Sequence, residues 1–591
     1  MSIHRLFVPV LAALVLLMPV LMMLFLLQPI LAVAGTDDRI FSDGFEAHSG
    51  PVVLYTDIVS GPTNGGENGK GCYLSVFGRN FGNGTPGADI KVFIGNSEVD
   101  NYRSFGASNG RADIQQLTVQ VGALGQQQAG VALPLKVVVD GVESNVDHQF
   151  MINPGKIIFV DPNNGDDATA VVGDIAHPFR RVQTGSDLAG GAWGQVRAGD
   201  FLVLRAGTYV DQGIEDYFLR FVIRADGVPD RSSGTPPTGT SGSGPITLTA
   251  YPGESAFIDG SASSDPSGAL SGLNGENYPL AGKWIVIANL KVEGGGYDGP
   301  ISQEIHGDHW RIVNNELTAF TGVTDGDSPS RMAGITGNGE DSSWLGNHIH
   351  DIQGSTNEAH GIYIDGDGSY DIGYNEIHDI HSGKGVQLFA NGGNGSDVIN
   401  HVRVHHNRIR RVTQFGINIA DGSQNDIAIW NNLVTDAAVA GLRFNTNTLH
   451  GCRVYNNTFY NNNTLDGEIY GVLMNDWNFP ADALDVRNNI FWARSGTSYA
   501  AGSVGFDDGD GIITRNLWFG GNDGYGFDNS PISADPLLVD PGTDFHIASV
   551  ASPAVDSGSE TAVSVVTDDF DADHARPQGS AIDIGAYELR Q

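Results

Sequence analysis

The stretch from Ala333 to Met474 repeats one short phrase, in which a glycine is followed by alternating apolar residues. The six copies read AGITGNG from Ala333, HGIYIDG from His360, KGVQLFA from Lys384, FGINIAD from Phe415, AGLRFNT from Ala440 and YGVLMND from Tyr470. Successive glycines are 24 to 31 residues apart. A period of this length, with loops of variable length, predicts a solenoid of stacked rungs.

A second ladder lies in phase with the glycines and consists of an Asn followed two positions later by an apolar residue. Its members are Asn315, Asn347, Asn375, Asn407, Asn432, Asn457, Asn489 and Asn516. Two strand-like phrases per period, without a helical apolar pattern between them, favour a parallel β-helix over helical or leucine-rich repeats. Equivalent residues then stack at about 4.8 Å, so each Asn can hydrogen-bond to its copies in the adjacent rungs.

The composition is strongly acidic, with 69 Asp and Glu against 32 Lys and Arg and a net charge of −37. This charge excludes general electrostatic attraction to nucleic acid or to anionic lipid, and it is compatible with bound cations. The two cysteines, Cys72 and Cys452, fall in different predicted domains. We therefore expect two buried thiols and no disulfide framework.

The first 34 residues have the pattern of a secretory signal peptide. Arg5 precedes an apolar run from Leu6 to Leu27, and Ala32-Val33-Ala34 provides a small-residue cleavage site before Gly35. The apolar run is also long enough to span a bilayer, so an uncleaved anchor is the alternative. Residues 35–50 form a polar leader, whose phrase RIFSDGFE resembles one found in exported proteobacterial proteins. We expect a protein at the cell surface of a Gram-negative bacterium or outside the cell.

Residues 51–153 read as short strands separated by Gly and Asn turns, which predicts a small immunoglobulin-like β-sandwich. The phrases SGPTNGGENGKGCYLSVFGRNFG and VVVDGVESN resemble the IPT/TIG family. Such modules act as spacers or binding domains. Because solenoid repeats contact mainly their sequence neighbours, we also expect the rest of the chain to fold without this segment.

Residues 154–530 form the predicted β-helix, and residues 531–591 its C-terminal cap. The phrases FVDPNNGDD, HPFRRVQTG and VRAGDFLVLRAGTYVDQG resemble the start of secreted right-handed β-helix proteins of the pectate-lyase-like superfamily. The final segment, from ADPLLVDPGTDFHIASV to DIGAYE, resembles the segment that closes many secreted bacterial β-helix proteins. The resemblance implies a right-handed, single-stranded helix. A cap would protect the unpaired edge of the last rung.

Within each repeated phrase the apolar residues must face the interior, so the alternate residues face outward, toward solvent. This predicts one outward line of Tyr363, Gln387, Asn418 and Arg443. A neighbouring line contains Asp365, Asn445 and Asn475. Just before the glycine, His360 and Lys384 lie on adjacent rungs.

The segment HVRVHHNRIRRV, residues 401–412, is a local basic patch in an otherwise acidic chain. Arg408, Arg410 and Arg411, with Arg403, are candidates for holding the carboxylates of a polymer, because Arg binds carboxylates bidentately. The alternative is that these arginines pair with Asp and Glu of adjacent rungs.

The resemblance implies activity on an extracellular polysaccharide, and we predict β-elimination at a uronic acid. Lys384, Arg443 or His360 is the candidate base, and Tyr363 is a candidate acid. Gln387, Asn418 and Asn445 would bind the sugar. Two alternatives stay open: a glycoside hydrolase, although the paired carboxylates that hydrolysis needs are not evident, and a non-catalytic carbohydrate-binding or adhesive protein.

The turn DGDGSYDIGYNE places acidic residues at offsets like those of an EF-hand loop. Asp365, Asp367, Asp371 and Glu376 are therefore candidate ligands for Ca²⁺. Tyr370 stands where that loop needs Gly, and an ordinary Asp/Gly turn is the alternative. The clustered Asp set of the Lys-base pectate lyases is not found.

Overall fold

A computed structural model describes residues 50–590 except 125–128, 184–189, 211–218, 221–238, 241, 262–268, 272–281, 295–298, 306, 321–332, 355–357, 391–397, 447, 466–470, 477–478, 480–482, 502–505, 507–510 and 523. The described part is all-β, with short 3₁₀ turns at Glu67–Gly69, Ala192–Gln195 and Glu560–Ser564. It contains no helix with the length and hydropathy needed to cross a bilayer. The predicted signal peptide and most of the leader lie outside the described residues.

The N-terminal region forms two facing sheets, as predicted for a β-sandwich. Its strands are β1 (Val52–Thr56), β2 (Ser60–Gly61), β3 (Tyr73–Arg79), β4 (Ile90–Ile94), β5 (Ser97–Glu98), β6 (Asn101–Ala107), β7 (Gln115–Gln120), β8 (Ala132–Val139), β9 (Val142–Glu143) and β10 (Gln149–Ile152). One sheet has the order β1-β3-β7-β6, and the other has the order β2-β10-β8-β4-β5, with β9 paired to β8. Cys72 is buried and free, as is Cys452 farther along the chain.

The rest of the chain winds into a parallel β-helix. Its strands are β11 (Ile157–Val160), β12 (Phe201–Leu204), β13 (Gly207–Val210), β14 (Leu219–Arg220), β15 (Ile246–Ala250), β16 (Ala256–Gly260), β17 (Leu270–Ser271), β18 (Ile285–Ala288), β19 (Lys291–Gly294), β20 (Ile301–Ile305), β21 (Arg311–Val313), β22 (Glu316–Ala319), β23 (Ala333–Leu345), β24 (His348–Ile352), β25 (Ala359–Gly373), β26 (Glu376–Ile380), β27 (Gly383–Phe389), β28 (Val398–His405), β29 (Arg408–Val412), β30 (Phe415–Ala420), β31 (Ser423–Trp430), β32 (Leu433–Thr435), β33 (Ala440–Asn445), β34 (Thr448–His450), β35 (Cys452–Tyr455), β36 (Thr458–Tyr460), β37 (Gly471–Asn475), β38 (Leu484–Arg487), β39 (Ile490–Trp492), β40 (Ser498–Ala501), β41 (Ile512–Thr514) and β42 (Leu517–Phe519).

These strands pair in parallel as three stacks around one apolar core. The first stack is β14, β17, β20, β27, β30, β33, β37 and β40, together with the first halves of β23 and β25. The second stack is β11, β12, β15, β18, β21, β28, β31, β34, β35, β38 and β41, with the second halves of β23 and β25. The third stack is the 11-stranded sheet β13-β16-β19-β22-β24-β26-β29-β32-β36-β39-β42.

The Asn ladder forms as predicted, at the turn between the second and third stacks. Asn407 donates its backbone N–H and its side-chain amide to Oδ1 of Asn432, at 3.1 and 3.0 Å. Asn432 donates in the same way to Oδ1 of Asn457, at 3.0 and 2.9 Å. The last member, Asn516, donates instead to the Asp528 carboxylate at 3.0 Å. The ladder thus satisfies buried polar groups of this turn on the rungs from Asn315 to Asn516.

The repeat glycines pack directly on the apolar partners of this ladder. A Cβ at Gly385 would lie 2.4 Å from Cγ2 of Ile409, and one at Gly416 would lie 2.2 Å from Cγ1 of Val434. Ile409 and Val434 follow ladder asparagines by two positions. The two sequence ladders are therefore in phase because their residues touch across the interior, where any side chain in place of glycine would overlap its neighbour.

The sandwich is packed onto the outer face of the second stack and shares its core with that face. Ile157, Phe159, Phe201 and Val203 belong to the same apolar cluster as the sandwich strands. The ring of Tyr55 packs against Gly346. A Cβ atom on residue 346 would lie 2.0 Å from the Tyr55 hydroxyl oxygen, so only glycine leaves room for this ring. This shared core changes the expectation that the β-helix folds unaided, because without the sandwich these apolar side chains would face water.

The C-terminal segment contains one hairpin of β43 (Leu538–Asp540) and β44 (Asp544–Ile547). At its start, Ile532 donates its backbone N–H to the carbonyl of Asn516 beside the last strand. Beyond the hairpin the segment returns along the ladder turn, where Asn456 donates to the carbonyl of Asp583 at 2.7 Å. It reaches the sandwich at an ion pair of Arg79 with Asp571 at 3.0 Å. The segment therefore joins the two regions as well as meeting the last rung.

Candidate functional site

The outer face of the first stack carries a row of polar side chains whose register agrees with the sequence prediction. Tyr363 is aligned with Gln387, Gln387 with Asn418, and Asn418 with Arg443 on successive rungs. His360 is aligned with Lys384 on the same two strands that hold Tyr363 and Gln387. We call these six residues the polar row. Parallel pairing without bulges between them brings all six onto one surface.

Five of the six residues of the polar row are buried, whereas the sequence predicted a face open to solvent, and Arg443 keeps 21% of its side chain exposed. His360 is 1% exposed, Asn418 2%, Gln387 5%, Tyr363 6% and Lys384 7%. The alternation of a strand tells which side chains point outward, but it does not tell whether other parts of the chain then cover them. A substitution in this row therefore also affects packing.

Lys384 is the central ionisable group of the row. Burial lowers the pKa of its ammonium group, the carboxylate of Glu358 opposes that effect, and the positive charge of Arg443 reinforces it. A lowered pKa increases the fraction of neutral amine, which is the form that can accept a proton. The ring of His360 lies 4.8 Å from the ring of Tyr363, so two further proton-carrying groups stand on the adjacent rung.

Arg443 is held in place by two contacts that the sequence did not reveal. Its guanidinium donates to the carboxylate of Asp476 at 2.8 Å, and it lies 4.7 Å from the ring centre of Phe415. Asn475 was expected on the outward line, but it is fully buried and aligned with the inward Phe444. The register on this rung is shifted by one residue, so Asp476 takes the outward place.

The amide side chains of the polar row have some but not all of their hydrogen-bonding groups paired. Asn418 donates its side-chain amide to Oε1 of Gln387 at 3.0 Å. Its own Oδ1 is buried and has no hydrogen-bond donor among the residues that the structure describes. Asn445 lies half-buried on the neighbouring line, aligned with Ala420. The row thus offers a buried acceptor as well as cations.

The predicted basic patch does not join the polar row. Residues 401–412 cross from β28 in the second stack to β29 in the third, so their arginines lie on other faces of the helix. Each side chain pairs with an acidic residue, which was the alternative reading. The pairs are Arg403 with Asp426 at 2.9 Å, Arg408 with Glu376 at 3.6 Å, Arg410 with Glu376 at 2.7 Å, and Arg411 with Asp379 at 2.6 Å.

The predicted calcium loop is not a loop. Asp365, Asp367 and Asp371 lie within the 15-residue strand β25, where Asp365 is aligned with Phe389 in the first stack and Asp371 with Arg403 in the second stack, so these two carboxylates lie on different faces. Asp371 instead contacts Nε2 of His405 at 2.8 Å. Glu376 begins β26 in the third stack and is occupied by Arg410. These four residues do not fit a single Ca²⁺ site, and we derive no step that uses one.

Comparison with known proteins agrees with the architecture. Residues 333–527 match a family model described as right handed beta helix region. The chain is similar to the crystal structure of pectate lyase Pel9A, with 16% identity and a TM-score of 0.46 over 74% of this chain and 97% of that one. It is also similar to an alginate lyase from Paenibacillus sp. str. FPU-7, with 16% identity and a TM-score of 0.27 over 58% of this chain and 94% of that one. The mannuronan C-5 epimerase AlgE6 A-module of Azotobacter vinelandii shares 12% identity, with a TM-score of 0.28 over 58% and 85%.

A search of curated proteins found no match. The likenesses to solved structures concern the fold alone. The predicted fold class is confirmed: β-sandwich-like sheets are followed by a right-handed parallel β-helix.

Proposed function

We propose that this protein cleaves an anionic, uronic-acid-containing polysaccharide by β-elimination at the polar row. The observation that carries the proposal is the position of Lys384, a buried amine one rung from His360 and Tyr363 and two rungs from the cationic Arg443. Elimination needs a base for the C–H next to the sugar carboxylate and a cation that stabilises the negative charge that develops there. The row supplies both groups on one surface.

In this mechanism the neutral amine of Lys384 takes the proton from the carbon next to the carboxylate. The electron pair of that C–H bond forms a carbon–carbon double bond, and the adjacent carbon–oxygen bond of the linkage breaks. The leaving oxygen takes a proton from the hydroxyl of Tyr363. Arg443, oriented by Asp476, faces the substrate carboxylate.

The test is an incubation of the purified protein with a panel of polyuronates, followed by the ultraviolet absorbance of the unsaturated product. We expect a product with at least one polymer and its loss in Lys384→Ala, because a base acts in the transition state. Lys91→Ala, on the exposed part of the sandwich, is the matched control. Thermal unfolding must show that the Lys384→Ala protein is folded. A folded variant that cleaves at the native rate contradicts the assignment of Lys384.

A second candidate function is saccharide binding without cleavage, and one observation favours it. The buried Oδ1 of Asn418 has no donor in the described part of the chain and could accept a hydroxyl of a sugar. Retention of a polyuronate on the protein with no unsaturated product would support this function over elimination.

We further propose that the protein meets its polymer outside the cell, since the signal-like N-terminus and the acidic composition both suit an exported protein. The resemblance of residues 51–153 to the IPT/TIG family stays a prediction.

A further inference from the structure

Three histidines cluster on the outer face of the third stack, on a different face from the polar row. His348 and His350 are two residues apart on β24, so they point to the same side, and His350 is aligned with His378 on β26. Their ring centres are 4.2 Å apart for His348 and His350, and 5.1 Å apart for His348 and His378. We propose that His348, His350 and His378 bind a divalent transition-metal cation such as Zn²⁺.

Two nitrogens already converge. Nε2 of His348 lies 2.9 Å from Nε2 of His378. Two imidazole ligands on one tetrahedral Zn²⁺ have nitrogens about 3.3 Å apart, given Zn–N bonds of about 2.0–2.1 Å. A shift of a few tenths of an ångström therefore turns this contact into a pair of ligands.

The remaining nitrogens are held as they are in metal-binding histidines. Nδ1 of His378 lies 2.7 Å from the carboxylate of Asp379, and Nδ1 of His350 lies 2.8 Å from that of Asp351. A carboxylate that accepts the Nδ1–H bond fixes the ring and leaves the Nε2 lone pair available to a cation. The repeated sequence IHDI, at residues 349–352 and 377–380, builds the same arrangement on two adjacent rungs.

His350 is the third candidate ligand. Nε2 of His350 is buried and has no hydrogen-bond partner within the described chain, and it lies 3.7 Å from Oε1 of Glu316. For this nitrogen to join the other two, the His350 ring must turn and give up its contact with Asp351. A water then fills the fourth position, as in open zinc sites, because Glu316 is paired with Lys291.

The surrounding charges permit a cation. Arg410, Arg411 and Lys291 face the cluster, but each is paired with a carboxylate, at 2.7, 2.6 and 2.6 Å. Neutral imidazole ligands select Zn²⁺, Cu²⁺ or Ni²⁺, whereas Ca²⁺ and Mg²⁺ prefer oxygen ligands.

The experiment is calorimetric titration of zinc chloride into the full chain after dialysis against a chelator. We expect one ion per chain, and at least tenfold weaker binding in His348→Ala and in His378→Ala. His401→Ala is one control, because His401 is 63% exposed on the second stack. His574→Ala is the other, because Asp569, Asp573 and His574 form a separate group whose ligand atoms lie within 4.8 Å of one another.

Absence of zinc binding, or binding that is lost only in His574→Ala, overturns the proposal. If circular dichroism shows that the two His variants are unfolded, the unmodified protein is used instead. It is loaded with one equivalent of Cu²⁺, and electron paramagnetic resonance identifies the ligands of the ion. Couplings to at least two imidazole nitrogens that disappear on pre-loading with Zn²⁺ support the site. A spectrum with oxygen ligands alone rejects it.

Discussion

At the scale of single residues, each repeat glycine from Gly334 to Gly441 marks a point where two rungs leave no room for a side chain. Gly385 shows this most clearly, because a Cβ there would lie 2.4 Å from Ile409 and 2.6 Å from the carbonyl oxygen of Gly416. We expect Gly385→Ala to destabilise the protein by roughly 1–3 kcal/mol, the usual range for overpacking a core. Urea unfolding followed by circular dichroism measures this change.

Gly106→Ala in the sandwich is a suitable comparison, because nothing lies within 4 Å of a Cβ at that position. Equal midpoints of unfolding for the two variants would refute the packing explanation of the glycine period.

Glu588 gives a prediction about pH. Its side chain is buried, and this burial raises the pKa of its carboxyl to about 7, although Arg576 acts against the rise. Because the folded state binds this proton more tightly than the unfolded state does, protonation of Glu588 stabilises the fold at low pH. This contribution to the free energy of unfolding is lost as the pH rises from about 4.5 to about 7. The Glu588→Gln protein has no carboxyl to deprotonate at this position and does not lose this stabilisation. Its free energy of unfolding, relative to that of the native protein, should therefore rise between pH 5 and pH 8.

The improvement is at most about 3 kcal/mol, the value for a pKa difference of about 2.5. Thermal unfolding of both proteins across this pH range measures it. Parallel curves for the two proteins would show that the Glu588 carboxyl titrates normally.

The residue scale also shows what the sequence could predict of the site. The alignment of Tyr363, Gln387, Asn418 and Arg443 follows from the period of the phrases, because neighbouring rungs pair in register. Burial of the row could not be predicted, since the alternation of a strand gives the direction of a side chain but not what packs over it. Asp476 was missed because one residue of shift on its rung exchanges inward and outward positions.

At the scale of elements, the Asn ladder is the structure that holds the turns of successive rungs together. Asn432 is its best test, because it accepts two hydrogen bonds from Asn407 and donates two to Asn457. Asn432→Ala keeps the backbone donor but removes the acceptor for two buried donors. At about 1–3 kcal/mol for each of the two unsatisfied groups, we expect a loss of roughly 2–6 kcal/mol.

Chemical denaturation measures the loss, with Asn425→Ala on the half-exposed part of β31 as the comparison. A ladder variant as stable as the Asn425→Ala protein would mean that the side-chain bonds contribute nothing beyond what water supplies.

Elements also explain where prediction from sequence failed. The basic segment 401–412 looks continuous, yet the turn at His406 and Asn407 divides it between two stacks. A regular sequence period predicts that strands exist, but it does not predict at which residue the chain turns from one stack into the next. The histidine cluster did have a signal, because the repeated IHDI predicts that His350 lies above His378 once the rungs are stacked.

At the scale of the whole molecule, the first prediction concerns export. We expect the mature chain to begin near Gly35, because the residues before it have the charge, apolar core and small-residue end that signal peptidase requires. Mass spectrometry of the protein released from expressing cells identifies the N-terminus. Recovery of an intact Met1–Ala34 segment in the membrane fraction would favour the anchor instead.

The last prediction concerns the two regions of the fold. The runs IIFV in β11 and FLVL in β12 are apolar at every position, which is typical of strands buried on both faces. One face lies in the interior of the helix, and the other, with Phe159 and Phe201, lies against the sandwich. Arg311 ties the regions further by donating to the carbonyl of Thr56 at 2.8 Å.

Deletion of residues 51–153 should therefore leave a protein that aggregates and unfolds at lower temperature, because it exposes a contiguous apolar surface. Light scattering and thermal unfolding measure both effects. Replacing Phe159 and Phe201 with Thr in the shortened chain removes apolar surface while keeping residues that suit a strand. This change should restore solubility if the exposed face is the cause, whereas a shortened chain that stays monomeric and as stable as the full protein would show that the β-helix does not depend on the sandwich.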